Sequence, residues 1–101
     1  MEVSLLDQVE KFLSRLTEKE LAKVIRTIEL LETFGNQLGM PHSKSFENGL
    51  IELRVRGSRE IRIFYCFHTS KAVLLHAFIK KAQKTPQREI TRARNAKASL
   101  R

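Results

Sequence analysis

The sequence predicts an α+β fold in a single domain spanning residues 1–101, with an N-terminal helical hairpin packed on a small antiparallel sheet and a basic C-terminal helix. Three observations carry this. Apolar residues recur at helical spacing over the first third of the chain, the period changes to two between residues 50 and 80, and the remainder is polar and strongly cationic. A chain of 101 residues supplies apolar side chains for one core and little surplus for a second.

The elements follow in order. Leu5, Leu6, Val9, Phe12, Leu13 and Leu16 lie on one helical face, which defines a first helix. Thr17 and Glu20 have the spacing of a capping box, in which each side chain satisfies a free backbone N–H at the start of a second helix. Leu21, Val24, Ile25, Ile28 and Leu31 form its apolar stripe, and Gly35 marks its end. So short a join predicts antiparallel packing of the two helices. Residues 36–48 hold Gly39, Pro41 and two serines without a steady period, and read as a loop.

In LIELRVRG, Ile51, Leu53 and Val55 alternate with Glu52, Arg54 and Arg56; in EIRIFYCF, Ile61, Ile63, Tyr65 and Phe67 alternate with Arg62, Phe64 and Cys66. These are two strands of a hairpin turning at Gly57-Ser58. A third strand, from about Ala72 to Ile79, follows a turn at Thr69-Ser70-Lys71. It is expected to put Val73, Leu75, Ala77 and Ile79 on one face and Leu74, His76, Phe78 and Lys80 on the other. Thr85 as N-cap and Pro86 at the first helical position then open a last helix, with Ile90 and Ala93, and Lys97 at the margin, on its inner side.

Charge narrows the function. The net charge is +8, and from Lys80 to Arg101 eight Lys or Arg face one acid, Glu89, so nearly all the excess lies in the last fifth of the chain. Such a segment attracts polyanions, nucleic acid foremost. No apolar run reaches the ~18 residues of a membrane span, and the first residues are too charged for a signal peptide. A cytoplasmic protein without a membrane partner is expected. The C-terminal helix lacks the bulky apolar face that membrane insertion needs. Cys66 sits in an apolar strand and reads as a sheet residue. His42, His68 and His76 lack metal-site spacing, so neither a metal nor a cofactor is expected.

The two faces of the sheet are unlike. One is wholly apolar and seats the helices. The other mixes Arg54, Arg56, Arg62, His76 and Lys80 with Leu74, Phe64 and Phe78, which suits a ligand with phosphates and bases. Lys80, Lys81 and Lys84 lie between a strand end and a helix start, where free N–H groups favour an anion.

Taken in order, GLIELRVRG (Gly49 to Gly57), RIFY (Arg62 to Tyr65) and LLHAFIKKAQKTPQREI (Leu74 to Ile90) resemble the phage-derived RelE/HigB-type toxins of bacterial type II toxin–antitoxin systems. LLETFGNQLGMPHSK, Leu30 to Lys44, is similar too, and the likeness runs from about Glu20 to the C-terminus. It implies a RelE-like fold and an mRNA interferase: a hydrolase that cleaves mRNA on translating ribosomes without metal, the substrate's own 2′-hydroxyl attacking the adjacent phosphate. It also implies neutralisation by a cognate antitoxin, a helix-turn-helix protein of HigA type. Relatives begin with an additional strand, for which this chain offers only Met1-Glu2-Val3-Ser4. Without it one sheet edge is open, to be covered by a dimer or by the antitoxin in a hetero-oligomer.

The candidate catalytic residues are Arg54, Arg62, His76 and Lys80, and the candidate RNA-binding residues are Arg56, Phe78, Lys81, Lys84 and Arg88. Arginines hold phosphates, lysines supply charge, Phe78 stacks on a base, and His76 exchanges protons because an ordinary histidine titrates near neutrality. Each has a structural alternative. Arg54 can pair with Glu52 or Glu60, and His76 can be a buried, hydrogen-bonded histidine. Lys81 can be a solvated charge, and Tyr65 shares its face with Ile61 and Ile63 as core. The rival function is a noncatalytic nucleic-acid or antitoxin-binding module on the same fold.

Overall fold

The computed structural model describes all residues, Met1–Arg101. The elements are β1 (Val3–Leu5), α1 (Asp7–Leu13), α2 (Glu18–Phe34), β2 (Ser43–Ser45), β3 (Ile51–Val55), β4 (Glu60–His68), β5 (Lys71–Lys80) and α3 (Gln87–Ala98), with single 3-10 turns at Gly35–Gln37 and Glu47–Gly49. They form a five-stranded sheet in the order β1-β5-β4-β3-β2. The sheet is mixed rather than purely antiparallel, because β1 runs parallel to β5.

The N-terminal helical hairpin is not formed. The apolar stripe that begins at Leu5 splits: Leu5 pairs with Leu74 in the sheet, Leu6 has extended backbone at φ −70° and ψ 156°, and only seven residues remain for α1. The cause is the free edge of β5. Ala72 N–H donates to the Glu2 carbonyl at 3.0 Å and Leu6 N–H donates to the Leu74 carbonyl at 3.1 Å, so these groups are paired instead of left open on an edge. The opening strand expected to be missing is therefore present in three residues. The short α1 buries Val9 against β5, and the longer α2 lies over β3.

At the start of α2 the capping box forms as predicted: Glu20 N–H donates to Thr17 Oγ1 at 3.2 Å, and Thr17 N–H donates to Glu20 Oε1 at 3.1 Å. The Glu20 carboxylate also takes two bonds from the Arg59 guanidinium, at 2.7 and 2.8 Å. Arg59 first, and the Thr17 N–H second, hold the Glu20 carboxyl at about 2. Thr17→Ala should lower stability by about 1 kcal/mol, read as a fall in the urea unfolding midpoint at unchanged slope. Val24, Thr27 and Leu31 form the buried face of α2, whereas Ile25 turns outward and is half exposed. Gly35 ends the helix with φ +54°, a conformation that side chains disfavour.

Within the predicted loop, Ser43–Ser45 forms the edge strand β2, antiparallel to β3. Ser-Lys-Ser carries no apolar alternation, so backbone pairing alone defines it. The phase of β3 and β4 is as predicted: Arg54 is directly opposite Arg62, and Leu53 is opposite Ile63. In β5 a bulge intervenes. Phe64 pairs with His76 and Tyr65 with Leu74, which leaves Leu75 as the extra residue. Ala77 and Ile79 keep their predicted side, but Ala72 and Leu74 take the places there expected for Val73 and Leu75. The amide nitrogen of Gln8 donates to the Leu75 carbonyl at 2.7 Å.

The second face is not open either. α3 lies across it, and Ala93 is buried with Leu50, Phe64, Cys66, Val73, Leu75 and Phe78 in a second apolar cluster. The sheet is thus covered on both sides, and the mixed face expected to receive a ligand is largely core. α3 starts one residue later than predicted, with Pro86 as N-cap and no side-chain cap. No helix is long and apolar enough to cross a membrane.

Candidate functional site: a cationic pocket at the β3 margin

Glu52 is the centre of the site. It projects from β3 toward the α3 side and is only 1% exposed, so its charge must be met inside the protein. Its Oε1 lies 3.3 Å from Arg54 Nε and 3.5 Å from Arg62 Nε, and its Oε2 accepts from Thr85 Oγ1 at 2.8 Å. That last bond explains the missing helix cap. The Thr85 hydroxyl ties the β5–α3 connection to β3 instead of closing the end of α3.

Arg62 is held on every side. Its Nη2 is 3.2 Å from Glu60 Oε1, its Nη1 donates to the Ile61 carbonyl at 3.4 Å, and its side chain is 4% exposed. Nε is buried with no hydrogen-bond partner, although it sits at ion-pair distance from Glu52. Such a guanidinium is a structural counter-ion and is withdrawn from a phosphate in solvent. Arg54, by contrast, reaches the surface, where its Nη1 lies 3.8 Å from the Met40 sulfur.

Around Arg54 and Glu52, Lys44 from β2, Lys80 from the end of β5 and Lys84 from the connection line a depression of about 290 Å³, with Phe46 at its wall. None of the three lysines has a carboxylate within 4 Å. Four cations thus share a concave site whose one acid is already satisfied, a setting that concentrates positive potential.

The other candidates lie elsewhere. His76 Nε2 is 2.7 Å from Glu89 Oε1, and its ring stacks on Phe78 with centroids 5.9 Å apart and planes 16° apart. This is the hydrogen-bonded histidine of the structural alternative, fastening α3 to β5. Phe78, 5% exposed, is sandwiched between His76 and Phe64, which removes it from base stacking in this conformation. Lys81 and Arg88 are exposed and line a separate depression with Arg59 and Glu89. Arg56 is exposed past the end of β3, beside Lys23 of α2. Tyr65 and Cys66 are buried, and burial pushes the phenol and the thiol up, as for core residues.

The structure therefore brings together Arg54, Lys80 and Lys84 and adds Lys44, which sequence reasoning misses because it lies in an apparently structureless loop. Glu52 and Thr85 stand in the sequence only as a pairing partner and a cap. Fold and pocket define a small basic α+β protein with a recessed cationic site at Lys44, Arg54, Lys80 and Lys84. The model of the phage-derived Gp49-like protein family (DUF891) matches residues 11–98, and the chain belongs to that family, which is associated with toxins of toxin–antitoxin systems. No curated protein matches the chain.

Proposed function

We propose that the protein is a toxin of RelE/HigB type in a type II toxin–antitoxin system, acting as an endoribonuclease on mRNA in translating ribosomes. The observation that carries this reading is the recessed cluster of Lys44, Arg54, Lys80 and Lys84 on a Gp49-like chain. In the proposed reaction the RNA 2′-hydroxyl releases its proton to solvent water as its oxygen forms a bond to the adjacent phosphorus, and the bond from phosphorus to the 5′-oxygen breaks with that oxygen taking up a proton. The products are a 2′,3′-cyclic phosphate and a 5′-hydroxyl.

Arg54, fixed by its bond to Glu52, and the ammonium groups of Lys80 and Lys84 stabilise negative charge on the non-bridging oxygens. A lysine ammonium is also a chemically competent donor to the leaving 5′-oxygen. His76 is reassigned from proton carrier to fastener of α3. His76→Ala should cost about 1.5–3 kcal/mol in stability, the scale of a hydrogen bond to a charged group, while cleavage below the unfolding transition stays within a few-fold of wild type. Thermal unfolding and a single-turnover assay check the two halves of that statement.

The direct test of function is induced expression with mapping of mRNA 5′ ends, alone and with a cognate antitoxin of helix-turn-helix, HigA-like type co-expressed. Growth arrest, new 5′-hydroxyl ends and rescue by the antitoxin are expected. Uncut mRNA and unaffected growth would leave the noncatalytic binding module as the better reading.

A further inference from the structure

A second cationic depression lies beside β3 on the α2 side, between α2 and the loop that precedes β2. It is lined by Lys23, Arg26, His42, Arg54 and Arg56, and no carboxylate lines it. Arg54 lines this depression and the Lys80 pocket alike, so one guanidinium joins them. We propose that this depression is a second phosphate-binding site, which grips the backbone of an RNA strand beyond the segment held in the Lys80 pocket. The choice of RNA rests on the function proposed above; the continuity of the two cationic sites does not.

Charge, spacing and rigidity support it. Lys23, Arg26 and Arg56 have no acidic partner within 4 Å. Of the neighbouring carboxylates, Glu20 is occupied by Arg59 at 2.7 Å, and Glu52, which pairs with Arg54 at 3.3 Å, is buried. Like charges gathered without counter-ions repel one another, and a polyanion relieves that repulsion while releasing its own bound cations. Arg54 and Arg56 alternate along one extended segment, ~7 Å apart at a strand's rise, comparable with the separation of successive phosphates. Lys23 and Arg26 sit three residues apart on one face of α2, ~5–6 Å between their Cβ atoms.

The frame is firm. The His42 carbonyl accepts from Arg54 N–H at 2.7 Å, which pins the loop to β3. Lys23 reaches over the β3–β4 turn so closely that a Cβ at Gly57 would come within 3.0 Å of its Nζ. A stretch of chain with regularly spaced negative charge fits a curved row of cations better than a single small anion does. An acidic protein segment is the competitor. It lacks the fixed charge at every repeat that the row of cations matches.

The test uses the full chain and fluorescein-labelled oligouridylates carrying 2′-O-methyl groups throughout, which lack the nucleophile and so report binding alone. A trimer reaches one pocket and a dodecamer both. For Lys23→Ala/Arg26→Ala, dodecamer affinity should fall about tenfold with trimer affinity unchanged. The log–log salt slope for the dodecamer should shrink by about 1.4, or ~0.7 for each single-strand phosphate that the protein ceases to neutralise. Lys11→Ala/Arg15→Ala removes the same charge from exposed positions lining neither pocket, and should alter neither ligand. The proposal is overturned if the dodecamer binds the first variant with wild-type affinity and slope, or if the trimer weakens as much as the dodecamer. Equal loss in the control pair overturns it as well, since the effect is then one of overall charge. Normal dodecamer binding with loss of a co-expressed acidic partner would assign the depression to protein instead. Because no arm reads cleavage, an inactive nuclease that still shows the length-dependent loss upholds the second site while refuting the catalytic reading.

Discussion

Arg62→Ala should destabilise the protein by about 3 kcal/mol, lowering the ratio of folded to unfolded chains on the order of a hundredfold, because it removes one partner of a buried ion pair and leaves the other charge in place. Arg62 and Glu52 have side chains only 4% and 1% exposed, and Arg62 Nε lies 3.5 Å from Glu52 Oε1. Glu52 keeps Arg54 and Thr85 after the change, which places the cost at the lower end for a broken buried pair. The companion experiment is Glu52→Met/Arg62→Met. With both charges gone and the volume retained, much of the loss should be recovered, and a double-mutant cycle should give a coupling of ~1–3 kcal/mol. Urea unfolding measures the wild type, Arg62→Ala, the two Met single variants and the double variant. If Arg62→Ala unfolds at the wild-type midpoint while mRNA cleavage vanishes, Arg62 acts on the RNA and its structural role is refuted.

Arg62 illustrates which parts of the site are legible in the sequence. Arg54, Arg62, His76 and Lys80 look equivalent there, as cations or histidine alternating with apolar residues. What separates them is α3, whose inner side offers the buried Ala93 with the half-buried Ile90 and Ala96 as its apolar anchors. So sparse a stripe does not announce that the helix will roof the mixed face. Once it does, Arg62 finds Glu60 on its own strand and Glu52 across the ladder, His76 finds Glu89 on α3, and only the margin near Arg54 and Lys80 stays open.

The fold divides along similar lines. The capping box of α2 and the pairing of β3 with β4 are readable because local spacing or strict alternation determines them. The bulge at Leu75 is not. In VLLHAFI every residue but His76 is apolar, so neither phase is marked before the sheet is built. Val3-Ser4-Leu5 fits strand or helix equally well, and a partner almost seventy positions away decides: Val3 pairs with Ala72. Lys44 becomes part of the site through another such pairing, opposite Glu52 in the β2–β3 ladder. Sequence reasoning therefore finds the charges at the pocket whose strands it can place, and misses the one whose strand exists only as backbone pairing.

Lys80→Ala is expected to slow mRNA cleavage by about 10²-fold and to relieve growth arrest, with the unfolding transition unmoved. The magnitude is that of removing one preorganised donor to charge developing in a transition state. Stability should hold because Lys80 is half-buried at the very end of β5 and makes no ion pair, so its removal strands no buried partner. Lys81→Ala is the matching control: it removes the same charge one residue further on, where the side chain lines the depression of Arg59 and Glu89. A general attraction of RNA to the basic connection would make the two substitutions equivalent, whereas the pocket makes them differ by more than tenfold in single-turnover rate. Lys80→Arg should retain part of the activity, since the charge remains while its shape changes. Equal rates for Lys80→Ala and wild type, measured on ribosome-bound mRNA with folding verified, would remove the Lys80 pocket as the place where the phosphate reacts.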